Sequence, residues 1–199
     1  MEMPADQRVH EFYKHQELLL PYTSSQLGRI NLDVGCGTGL TSVIHQQTLG
    51  ISPTLCDIVD MRHALAQSLP FYLVRNDVLP FRGKSFDSTY IQYVLHHVST
   101  LTEIIRLLAE ALRVSDRVII VEEIKGDKTD VASAETFDKK MNAKLHPEMP
   151  MPVYHYYSSR DIEHFVMQVD GKLLVRRVIA HGTEGNGFLE THLFVVSPG

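Results

Sequence analysis

The sequence predicts an α/β protein with a doubly wound, mostly parallel sheet, and three observations support this class. An apolar stretch, 30–34, runs directly into a glycine-rich turn and then into a predicted helix. Further apolar strands and amphipathic helices alternate along the chain, which is the pattern of a sheet covered on both faces. The stretch 117–121 is almost continuously apolar, as suits a central parallel strand. The length of 199 residues and the 44% hydrophobic content fit a single domain, 1–199, with a substantial core.

The glycine turn is the most informative feature of the chain. Gly35, Gly37 and Gly39 follow Asp33 at alternate positions. Because glycine has no Cβ, the backbone can turn tightly there and come close to a bound molecule. A helix predicted over 40–47 places the turn at a helix N-terminus, where free N–H groups and the helix dipole favour an anionic group. The turn therefore predicts a nucleotide-cofactor site; the alternative is a plain strand-to-helix turn of some other α/β protein.

The spacing of the glycines indicates which cofactor binds. The dinucleotide fingerprint is G-x-G-x-x-G, whereas here the third glycine, Gly39, comes one residue early and Leu40 follows it. This spacing argues against a nicotinamide dehydrogenase. Asp57 lies eighteen residues after Gly39, at the end of a predicted strand, where a carboxylate can accept hydrogen bonds from both hydroxyls of a ribose. Asp60 is the alternative for this role.

Three further motifs follow in order along the chain. A predicted third strand ends at Asn76-Asp77 before Leu79-Pro80-Phe81, Ser85-Phe86-Asp87 opens a fourth strand that runs through Gln92, and Val94-Leu95-His96-His97 comes next. Together with the glycine turn, this order resembles the class I S-adenosylmethionine (SAM) dependent methyltransferases. Within them it resembles the small-molecule enzymes related to the ubiquinone and menaquinone C-methyltransferases. The resemblance extends over about 29–123, roughly half of the chain.

The resemblance implies a Rossmann-like fold of seven strands, mostly parallel, with an antiparallel C-terminal hairpin. It also implies SAM as the cofactor and S-adenosylhomocysteine as the product. The matching cofactor-binding residues in this chain are Asp33, Gly35, Cys36, Gly37, Gly39, Asp57, Ile58, Asn76, Asp77, Val78, Gln92 and Tyr93. One departure from the pattern concerns the helix after the second strand. Only thirteen residues separate Asp57 from Phe71, so this helix must be short or absent.

The function implied by the resemblance is methyl transfer from SAM to a nitrogen, oxygen or carbon of a small-molecule acceptor. A general base would need only to remove a proton from the acceptor, and Tyr13, His96 and His97 are the candidates. The alternative for a histidine at 96 or 97 is a structural role, as a helix start or a backbone bracket. The alternative functions are a SAM-binding protein without activity and a methyltransferase acting on protein or nucleic acid.

Two segments outside the motifs are candidates for the acceptor side of the site. Residues 1–22 contain a predicted helix, which is either a lid over the cofactor or a helix packed on the flank of the sheet. Residues 125–157 follow the fifth strand and form a possible substrate-side insertion. Its end concentrates methionine, tyrosine, histidine and proline, so His155 and Tyr156 are predicted to bind substrate. The alternative is a rigid surface loop.

Composition and charge bear on the partners. The net charge is −5, from 19 basic and 24 acidic residues, and no basic run occurs, so we predict no nucleic-acid partner. The chain has no long apolar run and no signal-peptide core, which predicts no membrane partner and a cytoplasmic location. The two cysteines give no disulfide framework and the 11 histidines show no ligand spacing, so we expect reduced thiols and no metal site. The sequence leaves the oligomeric state open.

Overall fold

The computed structural model describes residues 5–75, 78–145 and 151–199, and their strands form one sheet. The strands are β1 (Ile30–Val34), β2 (Ser52–Asp57), β3 (Phe71–Leu73), β4 (Ser88–Gln92), β5 (Val118–Ile124), β6 (Gly171–Ala180) and β7 (Glu190–Pro198). They lie in the order β3-β2-β1-β4-β5-β7-β6. The strands from β3 to β5 are parallel, whereas β7 pairs antiparallel with both β5 and β6. The predicted seven-stranded, mostly parallel sheet with an antiparallel C-terminal hairpin is confirmed.

Helices cover both faces of this sheet. They are α1 (Ala5–Thr23), α2 (Leu40–Leu49), α3 (Leu101–Val114), α4 (Val131–Leu145) and α5 (Ser159–Gln168). One core lies between α1 and the sheet, where Leu19 packs with Tyr90 and Ile119. The larger core lies on the opposite face, where α3 and α5 pack against the alternate residues of the central strands. Of the described helices, none is long and apolar enough to cross a membrane.

Local sequence explains how several elements begin. The helix α3 begins with a complete capping box, in which Thr100 and Glu103 each bond to the other's backbone N–H, as the sequence indicates. Ser158 and Asp161 form the same arrangement at the start of α5. Between β2 and β3 the described chain forms only a short 3₁₀ helix, Ala64–Ala66, in agreement with the short spacing there.

Three element boundaries differ from the sequence prediction. The first helix, which the sequence predicts over 5–20 with Pro21 closing it, continues to Thr23, because the Thr23 hydroxyl donates to the Leu19 carbonyl at 3.2 Å and supports the last turn. The strand β3 ends at Leu73, several residues before the predicted end at 76–77. The strand β5 extends through two glutamates to Ile124, because the buried carboxylate of the first one is hydrogen-bonded.

Candidate active site

The glycine turn connects the end of β1 to the start of α2. Gly35, Gly37 and Gly39 all have positive φ angles, of 69°, 50° and 69°. The backbone N–H groups of Gly35 and Cys36 both donate to the carbonyl of Cys56 on β2, at 2.9 and 3.2 Å. A Cβ added at Gly35 would lie 2.5 Å from a Val94 methyl group. Both the φ angle and the close approach therefore require glycine at this position.

Asp57 is the last residue of β2 and holds the glycine turn from the side. Its Oδ2 accepts from the backbone N–H of Gly37 at 2.8 Å, and its Oδ1 accepts from that of Ile58 at 2.7 Å. Burial raises the pKa of this carboxyl, while these hydrogen bonds lower it. The alternative residue, Asp60, is instead paired with Arg62, whose Nη2 lies 2.8 Å from Asp60 Oδ2. Of the two acids, the structure brings only Asp57 into contact with the glycine turn.

Asp33 lies under the glycine turn, within β1. The hydroxyl of Ser42, in the first turn of α2, donates to Asp33 Oδ2 at 2.7 Å. The carboxyl is buried, and this burial raises its pKa to about 7 against the opposing effect of the Ser42 bond. Asp33 therefore ties the strand before the turn to the helix after it.

The residues at the end of β4 face helix α1. Gln92 Oε1 accepts from the side-chain amide of Gln16 at 3.2 Å, and the Tyr93 hydroxyl lies 3.0 Å from Nε2 of His15. Tyr93 has a φ of 55°, which is unusual for a residue other than glycine and is typical of functional sites. Val78 is exposed and forms an isolated bridge with Arg75. The remaining predicted cofactor residues, Asn76 and Asp77, lie outside the described residues.

The three candidate bases do not form one cluster. Tyr13 lies against α2, where its hydroxyl donates to Gln47 Oε1 at 2.9 Å. His96 is buried and its Nδ1 lies 2.6 Å from Oε1 of the buried Glu122. The attraction of Glu122 raises the pKa of His96 to about 9 against its burial, so the two form an ion pair at neutral pH. Burial, with the nearby His96 charge, lowers the pKa of His97 to about 4.

The segment 151–157 is attached to the histidines after β4. The Tyr154 N–H donates to the His96 carbonyl at 2.9 Å, and the His97 ring bonds to the Pro152 carbonyl at 2.8 Å. Tyr156 is buried, stacks on the His96 ring at 6.0 Å between centroids, and its hydroxyl donates to Asp138 of α4. The segment therefore borders the same edge of the sheet as the glycine turn.

Sequence reasoning did not assign four polar residues that the structure brings to this edge. They are Gln16, Glu122, Glu123 and Asp138. The two adjacent glutamates after the apolar run 118–121 were the available signal, because charged side chains rarely enter a buried strand without a role. The other two residues lie on helices with no motif, so nothing in the sequence marks them.

The residues at the glycine turn fit SAM. Two buried polar atoms, the Thr38 hydroxyl and Gln16 Oε1, have no hydrogen-bond partner among the described residues. Thr38 lies within the turn, and Gln16 contacts Thr41 at the start of α2. Buried polar atoms are normally hydrogen-bonded, so a polar ligand bound beside the glycine turn would supply the missing partners.

The strand order of the sheet and the glycine turn after β1 are those of the class I SAM-dependent methyltransferase fold. Residues 32–119 match the family described as methyltransferase domain. A SAM-dependent methyltransferase from Methanosarcina mazei has a similar structure, with a TM-score of 0.68 at 19% identity over 89% of this chain and 97% of that one. So does geranyl diphosphate C-methyltransferase from Streptomyces coelicolor, crystallised with S-adenosylhomocysteine, with a TM-score of 0.67 at 12% identity over 96% and 80%. The prediction of SAM as the cofactor is confirmed.

A curated relative corrects one prediction. The chain is 29% identical over 139 residues, 65% of its length, to the tRNA U34 carboxymethyltransferase of Alcanivorax borkumensis. The match covers 43% of that protein, so the chain spans less than half of its length. The prediction of no nucleic-acid partner is wrong, since this relative is named for an action on tRNA. The net charge of −5 was insufficient ground, because it sums the whole surface whereas RNA is contacted by local surfaces.

Proposed function

We propose that the protein transfers a methyl group from SAM to a nitrogen, oxygen or carbon of an acceptor molecule. The observation that carries this proposal is the glycine turn at the start of α2, held by the carboxylate of Asp57. Each carboxylate oxygen can accept two hydrogen bonds, and backbone N–H groups of Gly37, Ile58 and Val59 use part of the capacity of Asp57. The remaining capacity is available to the hydroxyls of a ribose.

The other cofactor residues are assigned by the sequence motifs that they share with the SAM-dependent methyltransferases. On this assignment Asn76, Asp77 and Val78 frame the adenine, and Asp33 orders the turn. Gln92 and Tyr93 at the end of β4 border the methionine part of the cofactor. When bound, SAM supplies a methyl group on a positively charged sulfur, and much of the catalysis comes from alignment and closeness, which are worth about 7–11 kcal/mol in favourable systems.

His97 is the better of the two histidines for accepting a proton. Its low pKa keeps the ring neutral, and Nδ1–H donates to the Pro152 carbonyl. The lone pair on Nε2 is then available. The proton of His96 is instead held by Glu122. In this proposal α1 covers the cofactor, and 125–157 forms the acceptor side with His155 and Tyr156.

Different observations support two classes of methyl acceptor, a small organic molecule and RNA. A small organic molecule is supported by the segment 151–157 and by the motifs that resemble the ubiquinone and menaquinone C-methyltransferases. RNA is supported by the tRNA-directed curated relative. A SAM-binding protein without activity is the alternative to both. The cytoplasmic location stays a prediction.

The first experiment is calorimetric titration with SAM, S-adenosylhomocysteine and NAD. We expect the first two to bind and NAD not to bind. Tight NAD binding without SAM binding would refute the proposal. The second experiment incubates the protein with methyl-labelled SAM and either total tRNA or a panel of amines, phenols and thiols. Label in one fraction identifies the acceptor class, and SAM binding without any labelled product supports the binding protein.

A further inference from the structure

Gln16 is a buried side chain of α1 that joins three elements of the fold beside the glycine turn. Its Nε2 donates to the Thr41 hydroxyl in the first turn of α2 and to Gln92 Oε1 at the end of β4, in each case at 3.2 Å. The end of β4 also reaches the glycine turn, because a Cβ added at Gly35 would lie 2.5 Å from a Val94 methyl group. These contacts place the Gln16 amide where the start of α2 meets the end of β4.

The two donated bonds orient the Gln16 amide and leave its oxygen without a partner. An amide NH₂ has two N–H groups, and the contacts with Thr41 and Gln92 use both of them. The oxygen, Oε1, is buried and accepts no hydrogen bond within residues 5–75, 78–145 and 151–199. Buried polar atoms are normally hydrogen-bonded. The Gln16 oxygen therefore matches a ligand group that donates a hydrogen bond.

Of the groups that SAM carries, the ammonium of its amino acid part matches this oxygen. SAM donates hydrogen bonds through its adenine amino group, its ribose hydroxyls and its ammonium group. The proposed function places the ribose at Asp57 and the adenine at 76–78, which leaves the ammonium group for the region between α2 and β4. The carboxylate of the same amino acid part needs donors. The Thr38 hydroxyl in the glycine turn is a buried donor that has no partner in the described chain, and the N-terminus of α2 favours a negative group.

The burial of Gln16 shows that α1 covers this part of the site. The residue is 0% exposed, so a ligand can reach its oxygen only when α1 moves away from the sheet. Hydrogen bonds from Tyr13 to Gln47 and between His15 and Tyr93 also attach α1 to the rest of the fold. When these contacts form again, α1 closes the Gln16 amide over the bound amino acid group.

We propose that Gln16 is the residue through which α1 recognises the amino acid group of SAM, with its Oε1 accepting a hydrogen bond from the ammonium group. This rests on the proposed function, because the ligand is the cofactor of the proposed methyl transfer. The ammonium group has three N–H donors, so Gln16 takes one and the rest remain for the glycine turn. Gln16 then selects against adenosine ligands that lack the amino acid group, because their binding leaves its buried oxygen unsatisfied.

Two adenosine ligands test this role without knowledge of the methyl acceptor. 5′-Methylthioadenosine keeps the adenosine and the sulfur of S-adenosylhomocysteine, but a methyl group replaces the amino acid chain. Calorimetric titration of the unmodified protein should show tighter binding of S-adenosylhomocysteine. Gln16→Met keeps the side-chain length and removes both polar atoms. It should weaken binding of S-adenosylhomocysteine by about ten- to a hundredfold, the range for a hydrogen bond to a charged group, and should leave the Kd of methylthioadenosine within about twofold.

Gln47→Met is the matched control. Gln47 is an exposed residue of α2 whose Oε1 accepts from Tyr13, so the same substitution there also removes a hydrogen bond between α1 and α2. It should leave the Kd of both ligands unchanged, because Gln47 does not face the glycine turn.

The outcomes that overturn the proposal differ from the one that refutes the proposed function. Equal losses for the two ligands in Gln16→Met would show that Gln16 only holds α1 in place, and an unchanged Kd for S-adenosylhomocysteine would exclude the contact. If Gln16→Met does not fold, Gln16→Glu takes its place. Its carboxylate keeps an acceptor oxygen, so the preference for S-adenosylhomocysteine over methylthioadenosine should be at least that of the unmodified protein, and a smaller preference would overturn the proposal. Failure of SAM and S-adenosylhomocysteine to bind the unmodified protein would instead refute the proposed function.

Discussion

The Asp57 carboxylate gives the sharpest test of the cofactor assignment. Replacing it with alanine removes the acceptor of the Gly37 and Ile58 N–H groups as well as the proposed partner of the ribose. Hydrogen bonds to a charged group contribute about 1.5–3 kcal/mol. We therefore expect Asp57→Ala to weaken SAM binding by about 1.5–3 kcal/mol, or about 10- to 150-fold in Kd.

Folding should survive this substitution. Burial already opposes the ionised form of Asp57, and its removal relieves that cost, which offsets part of the lost bonds. Asp57→Asn should give an intermediate loss, because it keeps one acceptor oxygen but not two. The matched control is Asp60→Ala, three residues away, where an exposed carboxylate is paired with Arg62.

Titration calorimetry with SAM and thermal melts on the three variants measure these effects. A loss at Asp60→Ala that exceeds the loss at Asp57→Ala would move the ribose contact to Asp60. Unchanged affinity in both variants would refute the reasoning from the sheet edge altogether.

Three other predictions follow from the same geometry. Gly35→Ala should destabilise the fold and abolish SAM binding, because the added Cβ would meet Val94. The control Gly50→Ala has a similar φ of 68° but open space around it, so it should lower the free energy of unfolding in urea by only about 1 kcal/mol. Equal losses in the two variants would show that the close approach to Val94 is unimportant. The pKa of His96 is higher in the folded protein than in the unfolded chain, so the bound proton stabilises the fold. This contribution to the free energy of unfolding, up to about 3 kcal/mol, is complete below about pH 6.5 and is lost towards pH 9. Urea unfolding across this range should show the decline, and His96→Asn should flatten it. Tyr156→Phe should change acceptor kcat/KM by roughly three- to thirtyfold at unchanged SAM Kd; a parallel loss of SAM affinity would instead make the segment part of the cofactor site.

The parts of the fold that the sequence predicted well are those set by local signals. The glycine turn, the capping box at Thr100 and the short connection before Phe71 each depend on a few adjacent residues, and the structure has all three. The strand order was available only through the resemblance, because pairing between distant strands leaves no local pattern.

The parts of the site that the sequence could not show depend on long-range contacts. The true end of β5 depends on bonds from Leu95 and His96 to Glu122, about 26 residues away along the chain. The positive φ of Tyr93 and its contact with His15, 78 residues away, have no sequence signature either. The same holds for Asp138, a residue of a polar helix that is buried and accepts a hydrogen bond from Tyr156.

The way in which 151–157 is attached suggests a route to engineering. Main-chain atoms make several of its contacts, through the Tyr154 N–H and the Pro152 carbonyl, and Tyr157 adds a bridge to Ile124. Side chains at Met151 and Tyr154 are therefore replaceable without loss of these bonds, whereas Val153 packs against the cluster of Ala134, Tyr156 and Leu189. A randomised library at positions 151 and 154 would vary the shape and polarity of this border while the glycine turn stays intact, so new acceptors could be selected on an unchanged SAM-binding half.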